Sequence, residues 1–169
     1  MKQIIVAAAV LISSFGFAQN AETLLDEVYN KTKSYENISI DFKYVLQNTS
    51  ENINQETRGD VVMEGDKYVL NFLGHTRIYN GKTLYTISPE DEEVTISSDN
   101  TEDETTITPS KMLSFYKEGY TYVMDIVQNV KGRKIQYVKL NPIDTNSEIE
   151  QVLLGIDANT KHIYNLIEI

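Results

Sequence analysis

The sequence predicts a mostly β fold of the α+β class, in which antiparallel strands form an incomplete, half-open barrel with two helices on its open side. Apolar and polar residues alternate along many short segments, and glycine, asparagine and aspartate residues separate these segments. The chain also has 11 tyrosines and 3 prolines, a composition that favours strands. The helices that parallel strands would require as crossovers do not recur in the pattern.

The clearest strand begins near residue 37, where the spacing of apolar residues changes to two. One face of this strand carries Ile38, Ile40, Phe42, Tyr44 and Leu46. A loop is predicted over residues 48–55 because this stretch is polar. The same alternation and turn signals predict further strands over residues 57–64, 67–73, 75–79, 82–88, 94–97, 121–128, 134–140, 150–157 and 162–169.

The strongest hairpin signal is the pair Asn80 and Gly81. Both residue types tolerate a positive φ, which the central positions of a type I′ turn require. Gly65 with Asp66, and Gly132, mark further turns between strands. Strands that follow one another through such short turns must run antiparallel.

Two helices are predicted among the strands. Asn20 is expected to cap the first, over residues 21–35, where the apolar stripe is formed by Leu24, Leu25, Val28 and Tyr29. Thr108 is expected to cap the second, and Pro109 occupies its first position. The apolar side of this second helix is formed by Met112, Leu113, Phe115 and Tyr116.

The N-terminal segment has the features of a cleavable secretory signal. Lys2 supplies a positive charge, residues 4–15 are almost all apolar or small, and Ala18 lies where a signal peptidase cuts. The apolar run is shorter than the roughly 20 residues that a membrane-spanning helix needs. We therefore expect export to the periplasm, cleavage after Ala18, and a single domain over residues 19–169.

The composition also argues against several functions. The formal net charge of −10 makes nucleic acid an unfavourable partner, since an acidic surface repels phosphate. The chain has no cysteine, and neither His75 nor His162 lies in a metal-binding or nucleophile motif. The acidic runs at residues 90–93 and 102–104 lack the spacing of a calcium loop. We therefore expect no enzymatic activity, no metal and no cofactor.

A series of short segments follows a recognisable order from about Leu24 to the last residue. The segments after the first helix are Ile38 to Phe42, Gly59 to Met63, Lys67 to Leu70, Tyr79 to Tyr85, Pro89 with Glu93 and Val94, the helix from Pro109 to Tyr116, and Leu140 to Pro142. In this order and spacing, behind a signal peptide, they resemble the LolA family of periplasmic lipoprotein carriers.

The resemblance implies a half-open barrel with a helical lid, whose cavity receives the acyl chains of lipoproteins. It also implies two protein partners, an ATP-driven release complex in the inner membrane and an acceptor in the outer membrane. We expect the carrier itself to be a monomer. The cavity lining is hypothesised to be Ile38, Ile40, Phe42, Tyr44, Leu46, Tyr68, Leu70 and Phe72. The lid contacts are hypothesised to be Leu24, Val28, Met112 and Phe115.

The sequence departs from the family in two places. Carriers of this family often have an arginine near the second strand, where it holds the lid by hydrogen bonds. Here the matching stretch is Glu64-Gly65-Asp66, and Lys67 or Arg77 is the candidate substitute. The chain also ends at Ile169, earlier than the family usually does, so strands that complete the family's barrel are expected to be missing.

Two alternative functions stay open on the residues alone. The same fold could bind a free lipid or another amphiphile in place of a lipoprotein. A non-transporting regulatory module could instead fill its interior with its own side chains and bind a protein through a sheet edge. Apolar faces of this kind form plain core more often than ligand cavities.

Overall fold

The computed structural model describes residues 20–48, 50–98 and 108–169. The predicted signal segment with its cleavage position at Ala18 lies outside these residues, and so does the acidic run at 102–104. Helix α1 comprises the helical residues 20–33. The remaining elements are β1 Ile38–Asn48, β2 Ile53–Glu64, β3 Lys67–Phe72, β4 His75–Tyr79, β5 Thr83–Ser88, β6 Glu93–Ser98, α2 Pro109–Met112, a 3-10 helix Phe115–Lys117, β7 Tyr120–Val130, β8 Arg133–Pro142, β9 Val152–Asp157 and β10 Ile163–Glu168.

These elements confirm the predicted mostly β fold with antiparallel strands. Strands β1 to β6 form a six-stranded sheet in chain order, and a second sheet has the order β10-β9-β8-β7. The chain divides into two compact units. The six-stranded sheet and α2 belong to the unit Tyr35–Leu113, and the other described residues form the unit that contains the four-stranded sheet and α1. No helix in the described ranges is both long and apolar enough to cross a membrane.

Helix α1 packs on one face of the four-stranded sheet. Ala21, Leu25 and Val28 are buried, because residues spaced by four and three lie on the same side of a helix. They form one core with Tyr116 and with apolar residues of β8 and β9, which are Val138, Leu140, Val152, Leu154 and Ile156. Asn20, expected as the cap, is itself helical.

The exposed side of α1 is joined to the same unit by two ion pairs. Asp26 of α1 pairs with Lys117, and Glu27 pairs with Lys161 at 2.6 Å. All four side chains are partly solvated, so each pair stabilises the helix position by no more than about 1 kcal/mol. Apolar packing therefore provides most of the stabilisation of α1 on the sheet.

The predicted loop at residues 48–55 is wrong in its extent, because β1 continues to Asn48 and β2 begins at Ile53. Asn48 pairs with Ile53 in the strand ladder, and the Asn48 side chain accepts hydrogen bonds from the backbone N–H of Ser50 and Glu51 at 3.1 and 3.2 Å. Strand β3 pairs with β2 only between Asp60 and Glu64. The hairpin tip therefore extends beyond β3, and residues there are polar because solvent reaches both faces of the ribbon.

The predicted position of the Asn80 turn is also wrong by one residue. Asn80 donates its backbone N–H to the carbonyl of Thr83 at 3.2 Å, so Gly81 and Lys82 are the central residues. Gly81 has a φ of 92°. The Asn80 side chain instead accepts hydrogen bonds from the N–H groups of Lys82 and Thr83 at 2.9 and 2.8 Å. Asparagine therefore stabilises this turn as a side-chain acceptor.

The second predicted helix is shorter than expected and is broken. The cap is confirmed, since the Thr108 hydroxyl accepts from the N–H of Lys111 at 3.3 Å and Pro109 follows it. The α-helix ends at Met112, and a separate 3-10 helix holds Phe115. The boundary between the two compact units falls between Leu113 and Ser114. One straight helix would carry its apolar side chains on a single face. Here Leu113 packs in the core of the six-stranded unit, whereas Phe115 and Tyr116 pack in the core of the four-stranded unit.

Candidate ligand-binding face

Strand pairing places the predicted lining residues of β1 and β3 on one face of the six-stranded sheet. In successive rows, Ile38 lies opposite Met63 and Met63 opposite Tyr68, while Ile40 lies opposite Val61 and Val61 opposite Leu70. Residues directly opposite each other in paired strands point to the same side. We call this surface the apolar face and define it by Ile38, Ile40, Phe42, Val61, Met63, Tyr68, Leu70 and Phe72.

The centre of the apolar face is packed, and its margins are partly open. Val61, Met63 and Tyr68 are buried. Ile38, Ile40, Phe42 and Leu70 are only partly buried and pack around these three, together with Tyr79, Leu84 and Leu113. A surface of this kind has apolar side chains available at its margins.

Aromatic rings form one end of the apolar face. The Phe42 and Phe72 rings have centroids 5.3 Å apart, and Tyr44 meets Phe72 edge-on at 5.8 Å. Both separations fall in the range of favourable aromatic pairs. Tyr44 and Leu46 are 47% and 43% exposed, because they lie on the part of β1 that extends beyond β3.

The four predicted lid residues do not form one group. Leu24, Val28 and Phe115 belong to the core of the four-stranded unit. Met112 is 55% exposed, whereas its neighbour Leu113 packs in the cluster on the apolar face. Because α2 has four residues, helical periodicity could not decide between these two neighbours.

Sequence reasoning missed several members of the packed cluster. Val61 and Met63 were predicted to lie on a strand without being assigned to the face. The two-residue turn at Gly65 and Asp66 was the available signal, since it fixes Met63 opposite Tyr68. No comparable signal identifies Leu113, which is distant in sequence from the strands that it packs against.

The two candidates for the lid arginine lie apart from each other. Arg77 is on β4 opposite Leu70, next to the apolar face, and its exposed side chain has no ion-pair partner within the described ranges. Lys67 is opposite Glu64 at the beginning of β3. Arg77 is therefore the candidate whose register position allows a cation at the border of the apolar face.

The opposite face of the same sheet has both a polar and an apolar part. Its polar part includes Asp60 and Asn71, which together with Phe42 and Phe72 of the apolar face line a recess of about 760 Å³. Asn71 donates to the Asp60 carboxylate at 2.9 Å and accepts from the Thr76 hydroxyl at 2.8 Å. The apolar part is a row across paired strands, made of Val62, Val69, Ile78, Tyr85 and Ile96.

The side chains that could take part in catalysis or metal binding are scattered among the described residues. His75 makes a 2.9 Å hydrogen bond with the Ser88 hydroxyl, and His162 lies in the other unit. Among the residues that the structure describes, no three acidic, histidine or cysteine side chains converge in a way that could hold a metal ion. The arrangement on the apolar face is suited to contact with apolar groups.

The sequence matches no protein-family model and no curated protein. Its fold is similar to that of a Vibrio parahaemolyticus protein domain named for outer membrane lipoprotein sorting, with 13% identity, a TM-score of 0.48, and coverage of 89% of this chain and 72% of that chain. A DUF1329 family protein from Desulfovibrio piger has 9% identity and a TM-score of 0.43, with coverage of 88% and 72%.

A LolA superfamily protein from Nitrosomonas europaea is also similar, with 12% identity, a TM-score of 0.38, and coverage of 90% of this chain and 71% of that chain. At such identities the likeness concerns the fold alone.

Proposed function

We propose that this protein is a periplasmic carrier that covers the acyl chains of lipoproteins and moves them from the inner to the outer membrane. The observation that supports this function best is the composition of the apolar face. Across β1, β2 and β3, paired apolar side chains adjoin one another with no charged residue among them. Five side chains of the apolar face, Ile38, Ile40, Phe42, Leu70 and Phe72, stay partly exposed.

Such a face suits a cargo that must be both held and released. Each methylene removed from water contributes about 0.8 kcal/mol, so covering about ten of them gives about 8 kcal/mol before the entropic costs of association. Apolar contacts have no strict directionality. The face can therefore bind chains of different length and release them without breaking specific polar bonds.

The remaining features of the proposal follow from the LolA resemblance. The chain would receive its cargo from an ATP-driven complex in the inner membrane and deliver it to an acceptor in the outer membrane. It would act by binding alone, without catalysing a reaction. The predicted signal segment supports the periplasmic location.

The proposal is tested by measuring the binding of a triacylated lipopeptide and of the same peptide without its acyl chains. We expect the acylated peptide to bind at least about tenfold more tightly, a difference of about 1.4 kcal/mol or more. Equal affinity for the two peptides would refute acyl-chain binding. The peptide itself serves as the matched control, because only the chains differ.

A second measurement separates lipoprotein transport from binding of a free lipid. The protein is purified after expression with its signal segment, and its bound molecules are identified by native mass spectrometry. A lipoprotein mass supports the carrier function. If only phospholipid masses are found, and the protein does not transfer a labelled lipoprotein between vesicles, the result would contradict lipoprotein transport and favour binding of a free lipid.

A further inference from the structure

Strand β1 is a long edge strand of the six-stranded sheet, and Asp41 and Lys43 are its only charged residues. It has 11 residues and β2 is its single neighbour in that sheet. Its pairing with β2 runs from Ile38 to Asn48 without a bulge. Proline, bulges and several charges usually protect such edges from pairing with another strand. Here β1 contains no proline, and Tyr44, Val45 and Leu46 are each at least 40% exposed.

The register of the sheet shows which β1 residues present free backbone groups. Glu64 and Lys67 flank the two-residue turn at Gly65 and Asp66, so they form a hydrogen-bonded pair. Even-numbered residues of β2 therefore bond to β3, and odd-numbered ones bond to β1. Each even-numbered residue of β1 lies opposite an odd-numbered residue of β2. The even-numbered residues of β1 are therefore the ones whose backbone groups bond to β2. The N–H and C=O groups of Ser39, Asp41, Lys43 and Val45 then point away from the sheet.

These outward groups restrict how β1 can pair with β1 of a second copy. In an antiparallel pair the outward-pointing residues must face each other. A two-fold axis at Asp41 would place two aspartates opposite each other, and an axis at Lys43 would do the same with two lysines. An axis at Phe42 places Asp41 of each copy opposite Lys43 of the other. This register therefore forms two opposite-charge pairs.

The same register matches the apolar side chains of β1. With Phe42 on the axis, Ile40 faces Tyr44 of the second copy and Ile38 faces Leu46, all on the side of the apolar face. Asp41 has no ion pair within the described residues, and Lys43 pairs with Glu56 at 3.1 Å. Glu56 keeps a second cation, Arg58, at 3.6 Å, so Lys43 can turn to Asp41 of the second copy without leaving Glu56 unpaired.

We propose that β1 pairs antiparallel with β1 of a second copy of this chain, with Phe42 on the two-fold axis. Residues 39–45 of the two copies then share about eight backbone hydrogen bonds. The apolar faces of both copies become continuous across the new pair of strands. This dimer differs from the monomer expected from the sequence, because a self-complementary register becomes visible only when the edge position of β1 is known. This inference does not rest on the proposed function and is tested without lipid.

The charge pairs are tested by reversal. Sedimentation velocity of the purified protein over a range of concentrations should show a reversible monomer–dimer equilibrium. Asp41→Lys and Lys43→Asp should each weaken the dimer at least about tenfold, because each places like charges opposite each other. The double variant D41K/K43D restores opposite charges and should return the dissociation constant to within about threefold of the original. A protein that stays monomeric at every concentration, or single variants that dimerise normally, would overturn the proposal.

The register is tested independently by cysteine cross-linking, which is clean because the chain has no cysteine of its own. Directly opposite residues of a hydrogen-bonded pair have α-carbons about 5.5 Å apart, within the range that a disulfide spans. The double variant D41C/K43C should therefore form a cross-linked dimer on mild oxidation. Lys43→Cys alone should not, because its nearest copy is diagonal at roughly 7–8 Å. Cross-linking by Lys43→Cys alone, or none by the double variant, would exclude the proposed register.

Discussion

The ring of Phe42 lies over the backbone of Gly59, its direct partner in β2. A β-carbon placed on Gly59 would lie 2.5 Å from Cζ of Phe42 and 2.7 Å from the carbonyl oxygen of Asn71. Glycine usually weakens the interior of a strand. Here its missing side chain leaves the space into which the aromatic ring packs, close to the ring of Phe72.

We expect Gly59→Ala to destabilise the protein by about 1–3 kcal/mol, because the added methyl group must displace the Phe42 ring. Urea unfolding of the single variant measures this cost. The cost should be smaller when the same change is made in a Phe42→Ala background, where the ring is absent. An undiminished cost in that background would assign the effect to the Asn71 carbonyl instead.

A second prediction concerns two tyrosines in the four-stranded unit. The buried Tyr116 hydroxyl has no hydrogen-bond partner within the described residues, and burial raises its pKa. The Tyr122 hydroxyl donates to the backbone carbonyl of Tyr116 at 2.7 Å. An unpaired buried hydroxyl costs about 1–3 kcal/mol, whereas a satisfied one stabilises by about 1 kcal/mol.

We therefore expect Tyr116→Phe to leave stability unchanged or raise it, and Tyr122→Phe to lower it by about 1 kcal/mol. Chemical unfolding of the two variants in parallel provides the comparison, since each removes one hydroxyl oxygen from the same core. A destabilisation by Tyr116→Phe equal to that by Tyr122→Phe would show that the Tyr116 hydroxyl has a hydrogen-bond partner.

A third prediction concerns the acid stability of the β9–β10 turn. Asp157 accepts hydrogen bonds from the backbone N–H groups of Thr160 and Asn159 at 3.1 and 3.0 Å. These bonds, that of Thr160 first, hold the pKa of Asp157 below its usual range. A lowered pKa contributes stability above the pKa of the unfolded chain, about 3.9, and this contribution is lost as the pH falls through the folded pKa.

Asp157→Asn keeps the accepting oxygen and removes the charge. We expect this variant to be less stable than the original protein at neutral pH and the difference to shrink as the pH falls below about 4. Urea unfolding at a series of pH values measures the difference directly. A difference that is constant over this range would mean that the carboxylate charge has no part in the turn.

A fourth prediction uses two neighbours on β3 to test the proposed acyl-binding face. Leu70 belongs to the apolar face, while Val69 points to the opposite side of the same strand and is 39% exposed. Leu70→Asn should weaken acyl-chain binding by about tenfold, since a buried amide without a partner costs about 1–3 kcal/mol.

Val69→Asn is the matched control and should leave binding unchanged, because it changes the same strand on its other face. Fluorescence titration with a labelled acyl chain compares the two variants, and circular dichroism verifies that both are folded. Loss of binding with Val69→Asn and not with Leu70→Asn would show that the acyl chain binds to the opposite face of the sheet.

Local sequence features predicted most of the secondary structure. The alternation from Ile38 to Leu46 predicted β1, and Thr108 with Pro109 predicted the start of α2. These signals are reliable because side-chain alternation and helix caps depend on neighbours a few residues apart. The same signals gave the wrong extent of the hairpin after Asn48, since a ribbon exposed on both faces is as polar as a loop.

The choice among apolar residues for a packing position depended on structure that is remote in sequence. Met112 and Leu113 are equivalent by pattern, yet only Leu113 packs against the six-stranded sheet. The ring of Phe42 needs Gly59, which is 17 positions away and reaches it only through the strand register. Pattern reasoning has no access to such contacts, because they are set by which strands pair and in which register.

The sequence by itself therefore determined where strands, turns and caps lie and which β1 residues share a face. Tertiary structure alone decided the division into two sheets, the burial of Leu113 and the edge position of β1. The physical reason is that periodicity and turn chemistry are encoded locally. Burial and edge exposure depend on the packing of the whole chain, which includes residues far apart in the sequence.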